Sequence, residues 1–254
     1  MTTGQPRIEL DASGSVAWLW LARPDALNAL DRAMTEAIED GLGRVASMTD
    51  VTVLIVAGRG RAFCAGNDLR EMATLSVAEA DALARRQATL MDRFAQLPQV
   101  TIAAIDGYAL GGGCMLALAQ DLRIASDRAR FGLPEVTLGF NPAYGIARLL
   151  DVAGGGHGRD LLLTGRTIRS SDALRMGLVN RVVAPATLDA SAAAWAAEIA
   201  RIPREGLAAT KRILAALGAG RPGREADEWA AALQTPAARE RLRTFAERRN
   251  RKED

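Results

Sequence analysis

ALGGGCMLA, from Ala109 to Ala117, joins a strand-like apolar run (Val100 to Ile105, then Asp106-Gly107-Tyr108) to a short run that reads as helix. Three successive glycines are unfavourable in any regular element, because each loses more backbone entropy on ordering than other residues do. They are justified where a backbone must turn sharply or come within contact distance of something. Here the run ends where a helix begins, so unpaired backbone N–H groups and the positive end of the helix dipole point outward together. That suits a phosphate, a carboxylate, or a carbonyl oxygen gaining negative charge during a reaction. A tight turn that packs a helix close to a strand accounts for the same residues.

Outward from this turn, a second one has the same context. GRGRAFCAGNDLREM (Gly58 to Met72) directly follows Val51 to Ala57, a continuous apolar run of the kind that forms buried strands. Loops leaving the ends of parallel strands converge on pockets, and one free N–H from each would form an oxyanion hole. Further strands are expected at Ser15–Leu21, ended by Arg23-Pro24, at Leu122–Ala125 and at Leu178–Val183, with a short extended piece over Phe131–Val136. Asp31 is a good N-cap for a helix to about Met48, with Met34, Ile38, Leu42 and Val45 on one face. Ser76 and Glu79 have capping-box spacing at the start of a long helix reaching Gln96. Gly139–Gly145 reads as loop, and helical runs follow at Ile146–Val152, Gly158–Leu163 and Ser170–Met176. Beyond Pro185 alanine, charge and helical periodicity dominate. The expected division is an α/β body over residues 1–195 and a helical region over 196–254, whose apolar positions need a partner surface.

Composition narrows the function. The 254 residues are 49% hydrophobic and 24% charged, ordinary for a globular chain with a sizeable core. Lys and Arg number 32 against 30 Asp and Glu, a net charge of +2 that makes no general case for nucleic acid or a membrane surface. The start lacks the pattern of a secretion signal and no apolar run approaches a membrane span, so a cytoplasmic location is expected. One histidine and two cysteines, Cys64 and Cys114, argue against a zinc site and against a disulfide framework. No G-x-G-x-x-G follows a strand, and neither G-x-x-x-x-G-K-[ST] nor G-x-S-x-G occurs, so dinucleotide, NTPase and α/β-hydrolase readings lack their signatures.

AFCAGNDLREM, then GYALGGGCMLALAQDLRIAS, then FGLPEVTLGFNP, together resemble the enoyl-CoA hydratase/isomerase (crotonase) family. RPDALNAL near the start and TGRTIRSSDALRMGLVNRVV later match it too, so the resemblance spans nearly the whole chain. It implies an α/β fold, a spiral of ββα units followed by a C-terminal helical trimerisation region, often assembled as a dimer of trimers. It also implies acyl-CoA thioester substrates, with CoA as part of the substrate and no separate cofactor or metal. Position by position, the resemblance makes the amides of Asn67 and Gly112 the donors to the thioester oxygen and Glu135 the acid/base. It places Arg23, Ala26 and Leu27, with Ala65, Gly66, Asp68, Leu69 and Arg70, along the CoA, Arg23 and Arg70 as phosphate partners and Asp68 as support for its loop. Phe245 and Arg248 fall where relatives offer a neighbour's CoA an aromatic and a basic residue.

One departure matters. Hydratases of the family use two glutamates, and where the first would stand this chain has Met115. Water addition needs a base for the water and an acid for the α-carbon, whereas a double-bond shift needs one base that removes a proton and returns it elsewhere. The sequence therefore favours an enoyl-CoA isomerase with Glu135 alone. The alternatives are a hydratase in which Glu135 works with a substitute acid, and a non-catalytic CoA-binding assembly protein. Met115 then shapes an apolar acyl pocket. Asn141 and Tyr144, in GFNPAYG, line the acyl end, with Tyr144 either donating a proton or, by preference, filling space. His157 is expected on an exposed loop.

Overall fold

The computed structural model describes residues 6–218, residue 220, residues 235–236 and residues 238–240. A hairpin of β1 (Ile8–Ser13) and β2 (Val16–Leu21) leads through a 3₁₀ turn at Pro24–Ala26 to α1 (Arg32–Ala46). Three ββα turns follow. The first is β3 (Val53–Gly58) and β4 (Ala62–Cys64), with α2 (Leu69–Met72) and α3 (Val77–Gln96). The second is β5 (Val100–Ile105), β6 (Tyr108–Leu110) and α4 (Gly112–Ala119). The third is β7 (Leu122–Ser126), β8 (Arg130–Gly132), a 3₁₀ turn at Pro134–Leu138 and α5 (Ile146–Thr164). The described chain closes with β9 (Thr167–Arg169), α6 (Ser170–Arg175), β10 (Arg181–Val183), α7 (Leu188–Ile199) and α8 (Arg204–Gly218).

Each turn gives one strand to each of two sheets, ordered β1-β2-β3-β5-β7-β10 and β4-β6-β8-β9. Pairing from β2 to β10 and from β4 to β8 is parallel, so the chain coils as the expected spiral of ββα units. The apolar runs are continuous because the larger sheet is covered on both faces. Leu54, Val56, Ala103 and Ile105 face the main core with α1, α3 and α4. Val53, Ile55, Ala57, Ile102 and Ala104 face Leu188, Ala192, Trp195 and Ala196 of α7. A division at residue 195/196 thus falls inside α7, between two residues of one buried layer.

Local chemistry sets the ends of the elements. The Asp31 carboxylate accepts from the Met34 amide at 2.6 Å, and Ser76 and Glu79 form a reciprocal capping box. Of the expected extended piece only Phe131 and Gly132 pair as strand. Pro134, with φ preset for a helical turn, starts the 3₁₀ turn instead. The two helical runs expected at 146–152 and 158–163 are the two segments of α5, which meet at a kink at Gly154 (φ 73°), and His157 lies exposed in the second segment and not on a loop. Among the described residues no helix is long and apolar enough to cross a membrane.

Candidate active site

Two backbone turns are pressed together at the ends of β4 and β6. Cys64 pairs with Ala109 in parallel register, and Asn67 and Gly112 each lie three residues beyond that pair. A Cβ on Gly66 (φ 99°) would stand 2.8 Å from the Leu110 carbonyl oxygen and 3.3 Å from the Gly112 nitrogen, so only glycine allows this approach. Leu30 bridges Asn67 by donating to the Gly66 carbonyl (2.8 Å) and accepting from the Asp68 amide (3.1 Å). In a parallel bridge the residue between those two groups points its own N–H the other way. Gly112 is the first residue of α4, so its N–H has no acceptor within the helix. Asn67 and Gly112 both line one cleft.

Glu135, on the 3₁₀ turn, reaches over this floor. A Cβ on Gly111 would lie 2.9 Å from its Oε1, and its Oε2 is buried with no hydrogen-bond partner. Burial pushes the Glu135 carboxyl above the ordinary glutamate range, against a smaller opposing pull from its own backbone amide. Among the residues lining the cleft it is the one carboxylate. Tyr144 and Asn141 line it as well: the Tyr144 hydroxyl donates to Asn67 Oδ1 at 3.3 Å, while the Asn141 amide turns onto the Pro142 carbonyl at 2.8 Å. Met115 is buried on α4, and a Cβ on Gly145 would come within 2.6 Å of its sulfur. A half-buried carboxylate that can take up a proton thus shares one cleft with two amides free to donate hydrogen bonds.

The remaining predicted residues divide. Ala65, Gly66 and Leu69 line the cleft. Arg23, Ala26, Leu27, Asp68 and Arg70 lie outside its lining. Asp68 caps α2 and accepts from the Arg23 guanidinium at 2.7 Å, and Arg23 also meets Asp31 at 3.2 Å. Burial works against the Asp68 charge, but the Arg23 hydrogen bond and the amides of Glu71 and Arg70 outweigh it and hold the carboxyl below its usual range. The loop support expected of Asp68 is thus made by Arg23, whose charge is engaged there; Arg70 is exposed. Phe245 and Arg248 lie outside the described residues. The sequence reading did not include Met72, Leu138 and Phe140, which form an apolar rim to the cleft. Leu138 falls between the expected extended piece and the expected loop, and Phe140 is one apolar residue within that loop, so neither carried a pattern.

A family model described as Enoyl-CoA hydratase/isomerase matches residues 11–252. The chain is 39% identical to "Probable enoyl-CoA hydratase EchA17" of Mycobacterium tuberculosis over 197 residues, 77% of this chain and 75% of that one. It is 39% identical to the short-chain-enoyl-CoA hydratase of Clostridium acetobutylicum over 181 residues, 70% and 69% of the two chains. The crystal structure of an enoyl-CoA hydratase from Bacillus anthracis superposes with a TM-score of 0.88 at 32% identity, covering 95% of this chain and 96% of that one.

Proposed function

This chain belongs to the enoyl-CoA hydratase/isomerase family, and on that footing we propose that it adds water reversibly across the α,β double bond of an enoyl-CoA thioester. The observation that carries the reading is the Glu135 carboxylate, half-buried over the Gly111–Gly112 turn with one oxygen bare, beside the two free amides of Asn67 and Gly112. The amides hold the thioester oxygen as it gains enolate charge, each worth about 3 kcal/mol in the transition state. Glu135 takes a proton from the attacking water and is the source of the proton that Cα receives. The three relatives reported above bear hydratase names, which support hydration over the isomerisation that the sequence favours.

Isomerisation stands as the second reading because Met115 is a buried thioether that moves no protons, and a double-bond shift needs only one base. The exposed apolar residues Leu163, Leu214 and Leu217 leave surface for the assembly that the family resemblance implies. The test is to incubate the protein with 2-enoyl-CoA and 3-enoyl-CoA of several chain lengths and follow products by chromatography and mass. Hydration gives a gain of one water, and Glu135→Gln lowers it by about 10²–10⁴-fold. Products of unchanged mass from 3-enoyl-CoA alone select the isomerase. Binding of CoA with no turnover of any acyl-CoA selects the non-catalytic reading.

A further inference from the structure

Hydration with a single carboxylate leaves one hydrogen of the attacking water unheld. Glu135 receives the hydrogen that is transferred, but a water free to swing about that one contact rarely aims a lone pair at Cβ. We propose that the Tyr144 hydroxyl oxygen, oriented by the side chain of Asn67, accepts the second hydrogen of the water and so fixes its attack. This assignment rests on the hydration reading.

Three contacts carry it. A Cβ on Gly112 would stand 2.7 Å from the Tyr144 hydroxyl and 2.7 Å from Asn67 Oδ1, while Glu135 Oε1 stands over neighbouring Gly111. The hydroxyl and the carboxylate therefore stand over consecutive residues of the glycine turn, one on each. The Tyr144 hydrogen is committed to Asn67 Oδ1 (3.3 Å), and a phenol has further acceptor capacity on its oxygen. Next to Tyr144, Gly145 (φ 80°) packs against the Met115 sulfur, so the thioether at the position of the missing carboxylate supports the loop that carries the hydroxyl. Asn141, the other polar side chain on that loop, is exposed and turned onto Pro142.

The electrostatics decide between holding a hydrogen and giving one away. Burial first, then the thiol of Cys64 and the Glu135 charge, push the Tyr144 hydroxyl well above its usual range, so it stays protonated. Its part is thus to accept a hydrogen bond, with no proton leaving it. In the step itself the water oxygen bonds to Cβ as one O–H bond breaks toward Glu135. The electron pair of the double bond moves onto the thioester oxygen. The Glu135 carboxyl then returns the proton to Cα and the thioester carbonyl re-forms. One water is added and every residue ends as it began.

The test compares wild type, Tyr144→Phe, Asn67→Ala and the double variant on 2-enoyl-CoA hydration and 3-enoyl-CoA isomerisation, a reaction in which no water adds. Tyr144→Phe keeps the ring and is expected to lower the hydration kcat by about 10²-fold, with KM and any isomerisation within about threefold. Asn67→Ala is expected to lower hydration less, and the double variant to be no worse than Tyr144→Phe, since both act on one water. A hydration kcat within threefold of wild type, or a loss shared by KM or by isomerisation, overturns the assignment and makes Tyr144 a packing residue. Wild type that adds no water overturns the hydration reading itself, and this one with it.

Discussion

Glu135 carries two costs that suit the role of base proposed for it: its carboxyl is held above the ordinary glutamate value by burial, and one of its oxygens has no partner. It accepts a proton only when ionised. The acidic limb of kcat/KM is therefore expected above pH 4.5, the usual glutamate value, and should be missing from the residual activity of Glu135→Gln. The same shift predicts stability. The native state holds this proton more tightly than the unfolded chain does, so Glu135 lowers stability progressively as pH rises from its unfolded to its folded value. Calorimetry of Glu135→Gln should show a thermal midpoint at neutral pH at or above that of wild type, and a lower one would mean the carboxylate is held by a favourable contact. Spacing alone marked the two glycine-rich turns; Asn67, Gly112 and Glu135 were singled out by the family resemblance of the motifs that hold them. The meeting of Asn67 and Tyr144 was not legible, because 77 residues separate them and only the stacking of successive turns brings them together.

The glycine turn shows what packing adds to an element read from sequence. At Gly113, inside α4, a Cβ would run into the Cys64 carbonyl of β4. Gly156, on the exposed side of α5, would meet nothing within 4 Å. Gly113→Ala is therefore expected to lower unfolding free energy by about 3 kcal/mol, and Gly156→Ala to raise it by about 0.5–1 kcal/mol through helix propensity. Urea denaturation distinguishes the two, and equal effects would contradict the contact at Cys64. The long buried strands β3 and β5 and the capped helices α1 and α3 were legible because each repeats its pattern over many residues. The strands β4, β6, β8 and β9 are three residues each, too short to show a period. Their existence depends on neighbours contributed by other turns.

Across the molecule, Lys211 ties the described end of the chain to the spiral. From α8 its ammonium donates to the Phe94 and Gln99 carbonyls and pairs with Asp121 at 2.6 Å. Burial lowers its pKa against the pull of that carboxylate. Lys211→Ala leaves Asp121 with Thr101 alone, and a loss of about 2–3 kcal/mol is expected, somewhat under that of a fully buried broken pair. A thermal midpoint unchanged in this variant would mean α8 is not clamped there. Light scattering should give a mass of three or six 27.0 kDa protomers, and a monomer would remove the assembly from the reading. The body up to α7 was legible as alternating strands and helices. The place of α7 was not, because an alanine-rich helix reads alike whether it covers its own sheet or another subunit. Asn67 and Gly112 are each counted three residues onward from one cross-strand pair, Cys64 with Ala109. Beyond the strands the two turns come together by backbone alone, since a Cβ on Gly66 would stand 2.8 Å from the Leu110 carbonyl oxygen. The sheet thus acts as a common origin from which both turns are counted, indifferent to which side chains decorate it.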